Sequence, residues 1–104
     1  MKMKLITAII RTAKLEEVHE MLLSAPIERF TVTNVMGCGT QQGYTESFRN
    51  TTIEVNLIKK MKVDIEVQAN KVQTIITSIM RICRSGKVGD GKIFVFDIPT
   101  CITL

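Results

Sequence analysis

The clearest pattern in the chain is a strict alternation over residues 60–67 (KMKVDIEV). Met61, Val63, Ile65 and Val67 fall on one side, Lys60, Lys62, Asp64 and Glu66 on the other. That period of two predicts a strand with one core face and one polar face. Residues 4–11 (KLITAIIR) are apolar on both faces, which suits a central strand. Residues 29–36 (RFTVTNVM) are rich in β-branched side chains and read as another strand, and residues 92–98 (KIFVFDI) as a last one. Two segments have helical spacing instead. In residues 13–24, Leu15, Val18 and Leu22 share a face, Thr12 is the expected cap and Pro26 the stop. In the second, Asn70 and Gln73 form the expected capping pair, Val72, Ile75, Ile76, Ile79, Met80 and Cys83 form the stripe, and Gly86 is the expected stop.

The resulting order, βαββαβ, predicts an α+β, ferredoxin-like domain over residues 1–104, with two helices on one face of an antiparallel sheet. A fold of this kind hosts many functions and does not select one. Between the second and third strands lies a polar segment, residues 37–56, punctuated by Gly37, Gly39 and Gly43. A loop of about 20 residues inside a small domain is expected to be functional and mobile. With a core this small, burial of the sheet by assembly is also expected.

Composition narrows the function classes. The chain is 45% hydrophobic and 23% charged, an ordinary globular balance. No apolar run approaches the ~20 residues of a membrane span and no signal peptide is visible, so a cytoplasmic protein without membrane insertion is expected. The net charge of +4 favours anionic ligands or acidic partners, but the basic residues are spread out and form no arm for nucleic acid. An RNA-binding domain of this topology would need aromatic residues on its central strands, and residues 61–67 have none. Cys38, Cys83 and Cys101 lack CxxC spacing and paired histidines, which points to free thiols in a reducing compartment. A trimeric metal-tolerance protein of the same topology is an alternative, but it would use Cys, His or Met ligands and the spacing supports none. His19, the only histidine, sits at the edge of the first helix's apolar face. No nucleophile–base pair or carboxylate cluster suggests an enzyme.

The most specific segment is residues 85–95 (SGKVGDGKIFV). Its glycines let backbone N–H groups approach an anion, and Lys87 and Lys92 add positive charge. This segment resembles the C-terminal signature of the nitrogen-regulatory PII family. Residues 37–46 (GCGTQQGYTE) resemble the start of that family's long T-loop, and KLITAIIR followed by KLEEV is similar to its first strand and helix. The resemblance covers nearly the whole chain. It implies a homotrimeric signalling protein that binds ATP or ADP between subunits. It also implies 2-oxoglutarate binding when Mg²⁺ and ATP are present. The T-loop would dock onto an ammonium channel, a nitrogen-metabolism enzyme or a regulator.

Carried over position by position, the resemblance implies nucleotide contacts from Gly37, Cys38 and Gly39 and phosphate contacts from Gly89, Asp90, Gly91 and Lys92. Ile9 would pack on the base, and Thr31 and Asp64 of a neighbouring subunit would face the adenine. Gln41 would reach Mg²⁺ and 2-oxoglutarate, and Lys60 the distal carboxylate of 2-oxoglutarate. The chain departs from the family at several places. Thr40 and Gln42 stand where basic residues are usual, Ile53 stands at the modified tyrosine position and Tyr44 lies elsewhere in the loop. Thr103 replaces the first of two C-terminal arginines, and Leu104 is reached before the second. Charge-assisted hydrogen bonds are worth about 1.5–3 kcal/mol each, so weakened ATP binding is expected. A PII-like paralogue with altered or lost nucleotide binding is therefore the competing expectation.

Overall fold

A computed structural model describes residues 2–37 and 57–104. Its strands are β1 (Met3–Arg11), β2 (Arg29–Gly37), β3 (Ile58–Gln68) and β4 (Gly91–Ile98), and its helices are α1 (Leu15–Leu23) and α2 (Val72–Cys83). The sheet order is β2-β3-β1-β4 with every neighbouring pair antiparallel. This is the ferredoxin-like α+β arrangement expected from the sequence.

Alternation along the strands produces two unlike faces. Ile6, Ala8 and Ile10 of β1 and Met61, Val63, Ile65 and Val67 of β3 are buried beneath the helices. Val18 and Leu22 of α1 and Ile75, Ile79 and Cys83 of α2 close over them. The helix-free face carries Leu5, Thr7 and Ile9 of β1, opposite Phe96, Phe94 and Lys92 of β4. Phe94 and Phe96 are about half exposed and stack with centroids 6.4 Å apart. At the far end of the same ladder Lys4 donates to the Asp97 carboxylate, which lies below its usual pKa because of that bond.

Both helices begin differently from the expectation. Residues Thr12–Lys14 and Ala69–Lys71 form single 3₁₀ turns that lead into α1 and α2, and no side chain caps either helix. Thr12 and Asn70 are inside these turns, so they are not caps, and the Gln73 amide donates to the Thr77 hydroxyl one turn on. A 3₁₀ entry tightens the chain as it leaves a strand and uses backbone bonds in place of a capping side chain. At the other end α2 stops at Cys83, Arg84 turns extended, and Gly86 adopts φ +84° three residues beyond the helix.

His19 meets the edge of Phe30 at 5.6 Å between ring centroids, a boundary contact between α1 and β2. Cys83 is buried, which raises its thiol pKa, and Cys101 is exposed. No helix among the described residues is long and apolar enough to cross a membrane.

Ile65, wholly buried in β3, should be the sensitive point of this core. Replacing it with alanine should reduce stability by about 2–5 kcal/mol. The measurement is urea unfolding, in which the midpoint should fall while the slope is kept. An unchanged midpoint would mean that β3 does not pack as described.

Candidate functional site

The strand registers bring several of the expected residues to one end of the sheet. Gly37 pairs with Ile58 at the point where the chain leaves β2 and re-enters β3. Two residues further in, Lys60 pairs with Val35 on one side and Arg11 on the other, and Ile10 pairs with Gly91. The base of the 38–56 segment, the end of β1 and the glycine-rich turn at residues 85–91 are therefore neighbours.

Two neighbouring cations hold that turn. The Lys60 ammonium donates to the Gly89 carbonyl at 2.6 Å, and the Arg11 guanidinium donates to the Val88 carbonyl at 2.9 Å. The Val88 and Gly89 N–H groups have no hydrogen-bond partner among the described residues. Lys92 lies exposed one residue beyond the turn, opposite Ile9. Backbone donors without a partner among the described residues, beside several positive charges, are groups suited to an oxyanion. A cavity of about 330 Å³ opens beside it between α2 and β4, with Gly91 and Lys92 at one end and Ile76, Ile79 and Met80 among its lining residues.

Asp90 behaves differently from its neighbours. Its carboxylate accepts from the Ser85 N–H (2.7 Å), the Ser85 hydroxyl (2.5 Å) and the Gly86 N–H (3.0 Å), and Arg11 Nε lies 3.6 Å away. The Ser85 hydroxyl bond, followed by the other two hydrogen bonds and the Arg11 charge, lowers its pKa to about 2. The side chain therefore points into the turn.

Gly91 also has a reason of its own. At φ +125°, a Cβ there would collide with the carbonyl oxygen of Ile9 in β1. Close approach of β4 to β1 requires this glycine before any ligand is considered. A Cβ on Gly89 would meet the movable ends of two side chains, Arg11 Nη2 at 3.2 Å and Lys60 Nζ at 3.9 Å, although its φ of +95° still favours glycine.

Thr31 and Asp64 lie elsewhere, in the middle of the helix-free face, where they are cross-strand partners. Asp64 accepts from the Thr7 hydroxyl at 2.6 Å and lies 3.7 Å from the Lys62 ammonium. Cys38, Gly39, Gln41, Thr40, Gln42, Tyr44 and Ile53 are outside the described residues. No group of three or more His, Cys, Asp or Glu among the described residues has the closeness of a metal site. The residues that sequence reading did not single out are Arg11, Ser85 and Val88. Arg11 was visible only as the cation that ends an apolar strand, and nothing in its position showed that β1 would deliver it to the turn.

A sequence model described as nitrogen regulatory protein P-II matches residues 3–104. This chain belongs to the P-II nitrogen regulatory family. It is 43% identical to nitrogen regulatory protein P-II 1 of Escherichia coli K12 over 98% of this chain and 91% of that protein. It is 39% identical to nitrogen regulatory protein GlnK of the same organism, with the same coverage. Its structure is similar to B. subtilis GlnK (TM-score 0.76, 32% identity, 95% of this chain and 87% of that one). It is also similar to a B. subtilis GlnK–ATP complex (TM-score 0.77, 33% identity, 94% and 85%). Members of this P-II family are regulatory signalling proteins and not enzymes.

Alanine at two glycines tests the backbone demands of the turn. Gly86→Ala has open space and should cost only the left-handed penalty of about 1–2 kcal/mol. Gly91→Ala should be markedly worse, because the β1–β4 ladder must part. Thermal unfolding of the two variants checks the order, and equal losses would contradict the close approach at Ile9.

Proposed function

We propose that this chain regulates nitrogen metabolism as a sensor of adenine nucleotides. ATP or ADP would place its phosphates at the 85–91 turn, against the backbone of Gly89, Asp90 and Gly91 and the Lys92 charge. Gly37, Cys38 and Gly39 would line the nucleotide from the base of the T-loop, and Ile9 would support the base. The observation that carries this reading is the bond from Lys60 to the Gly89 carbonyl. It joins the strand that emerges from the T-loop to the turn that faces the anion. A charge arriving at the turn thus acts on groups attached to the loop. The similar GlnK structure with ATP supports the choice of ligand.

An ammonium carries three donors, and the Gly89 carbonyl occupies one. Lys60 therefore retains donors for a carboxylate, as the 2-oxoglutarate reading with Gln41 requires. Mg²⁺, brought with ATP, would supply the positive charge at the other end of that diacid. The T-loop would then engage its partner, an ammonium channel or a nitrogen-metabolism enzyme or regulator, in the cytoplasm. Thr40, Gln42 and Thr103 lack the charge usual in the family, so binding should be weaker than in its relatives.

The half-exposed Phe94 and Phe96, with Leu5 and Ile9 on the same face, support burial of the helix-free sheet face in a homotrimer. In that assembly Thr31 and Asp64 would reach the adenine of a neighbouring subunit's nucleotide. The single domain over residues 1–104 would be the subunit.

Calorimetry tests the ligand reading. ATP and ADP should bind the unaltered protein, and 2-oxoglutarate should bind only with ATP and Mg²⁺ together. Lys60→Ala should abolish 2-oxoglutarate binding and leave most of the ATP affinity. Binding of 2-oxoglutarate without nucleotide, or none of either nucleotide, would overturn this reading.

Assembly has its own test. Phe94→Asp places an unpaired charge on the face to be buried and should turn a trimer into monomers in light scattering. A monomer before substitution, or a trimer unaffected by it, would remove this face from the interface.

A further inference from the structure

Asp90 is an anion inside a turn that otherwise gathers cations. By Coulomb's law alone it should oppose a phosphate bound nearby. Its hydrogen bonds indicate a compensating role. The three bonds from Ser85 and Gly86 tie residue 90 back to residues 85–86 and close the turn across Gly86 and Gly89, both at positive φ. The Ser85 oxygen passes the restraint on by accepting from the Lys87 N–H at 3.2 Å. Beside this clasp, Arg11 and Lys60 hold the Val88 and Gly89 carbonyls. A trans peptide points its N–H opposite to its carbonyl. Fixing the Val88 carbonyl toward Arg11 therefore fixes the Gly89 N–H on the opposite side. Arg11 is shared between the two halves of the device, since it also faces the Asp90 carboxylate.

We infer that Asp90 is a positioning residue for anion binding. With Ser85 it clasps the turn in the shape that presents the Val88 and Gly89 N–H groups to a phosphate, and its carboxylate does not touch the ligand. This rests on the nucleotide reading above and deepens it. The sign of the effect separates positioning from simple electrostatics. Removing a negative charge near a phosphate should tighten binding, whereas removing a clasp should weaken it.

The experiment is ATP titration of the full chain and of its D90A, D90N and S85A variants, with circular dichroism and thermal midpoints alongside. D90A should weaken ATP by about tenfold or more. D90N should bind more tightly than D90A, because an amide oxygen still accepts from the Ser85 and Gly86 N–H groups and its NH₂ can meet the Ser85 oxygen. S85A should weaken binding in the same direction as D90A. Amide exchange at Gly86 should accelerate in D90A while the amides of β1 and β3 stay protected. If D90A does not fold, D90N and S85A carry the comparison, and ATP affinity equal to or tighter than that of the unaltered chain in both overturns the inference. The same result in a folded D90A overturns it too. If the unaltered chain binds neither ATP nor ADP, the nucleotide reading itself fails and the inference fails with it.

Discussion

Everything at the candidate site depends on β1 being hydrogen-bonded along both edges. It pairs with β3 from Met3 to Arg11 and with β4 from Met3 to Ile10, so its backbone donors and acceptors are satisfied only where it is central. Its core-facing residues, Ile6, Ala8 and Ile10, are almost wholly buried. This double pairing fixes β3 and β4 relative to each other although they never touch as neighbours in the sheet. Arg11 and Lys60 thus meet side by side, and the turn that precedes β4 folds back over them. The packing of β4 onto β1 is close enough that Gly91 tolerates no Cβ.

At that end of the sheet the charges follow a simple division. Lysine and arginine side chains satisfy carbonyl groups of the turn, and the carboxylate satisfies N–H groups near its start. The Val88 and Gly89 N–H groups are left without a partner among the described residues, with these cations close by. Such an arrangement favours an anion through fixed dipoles and needs little reordering when the ligand arrives. Lys60 joins the turn to the strand that re-enters the sheet after the 38–56 segment, and in the proposed reading that link is the path from ligand to loop. The outer face of the sheet, with its stacked phenylalanines and its Thr7–Asp64–Lys62 network, is a separate surface with separate demands.

The order and type of the elements were legible in the residue pattern alone. Alternation in residues 60–67 and the three-and-four spacing in both helices are local patterns, and local patterns survive without knowledge of partners. The family was legible too, because residues 37–46 and 85–95 are specific strings. Helix starts were less legible: Thr12 and Asn70 look like caps in one dimension, but the chain enters both helices through 3₁₀ turns. Lys60, Gly89 and Lys92 could be named as candidates from the family resemblance. Three features became visible only in the folded chain: Asp90 turns inward onto Ser85, Gly91 answers first to Ile9, and Arg11 belongs with the turn. The Asp90–Ser85 contact depends on the shape that the turn takes once both its ends are held. The other two arise from register across the sheet, between residues far apart in the chain, as in the Ile9–Gly91 approach and the Arg11–Asp90 pair. A side chain's neighbours over that distance are set by which strands pair and in what alignment, and no residue's own sequence context carries that information.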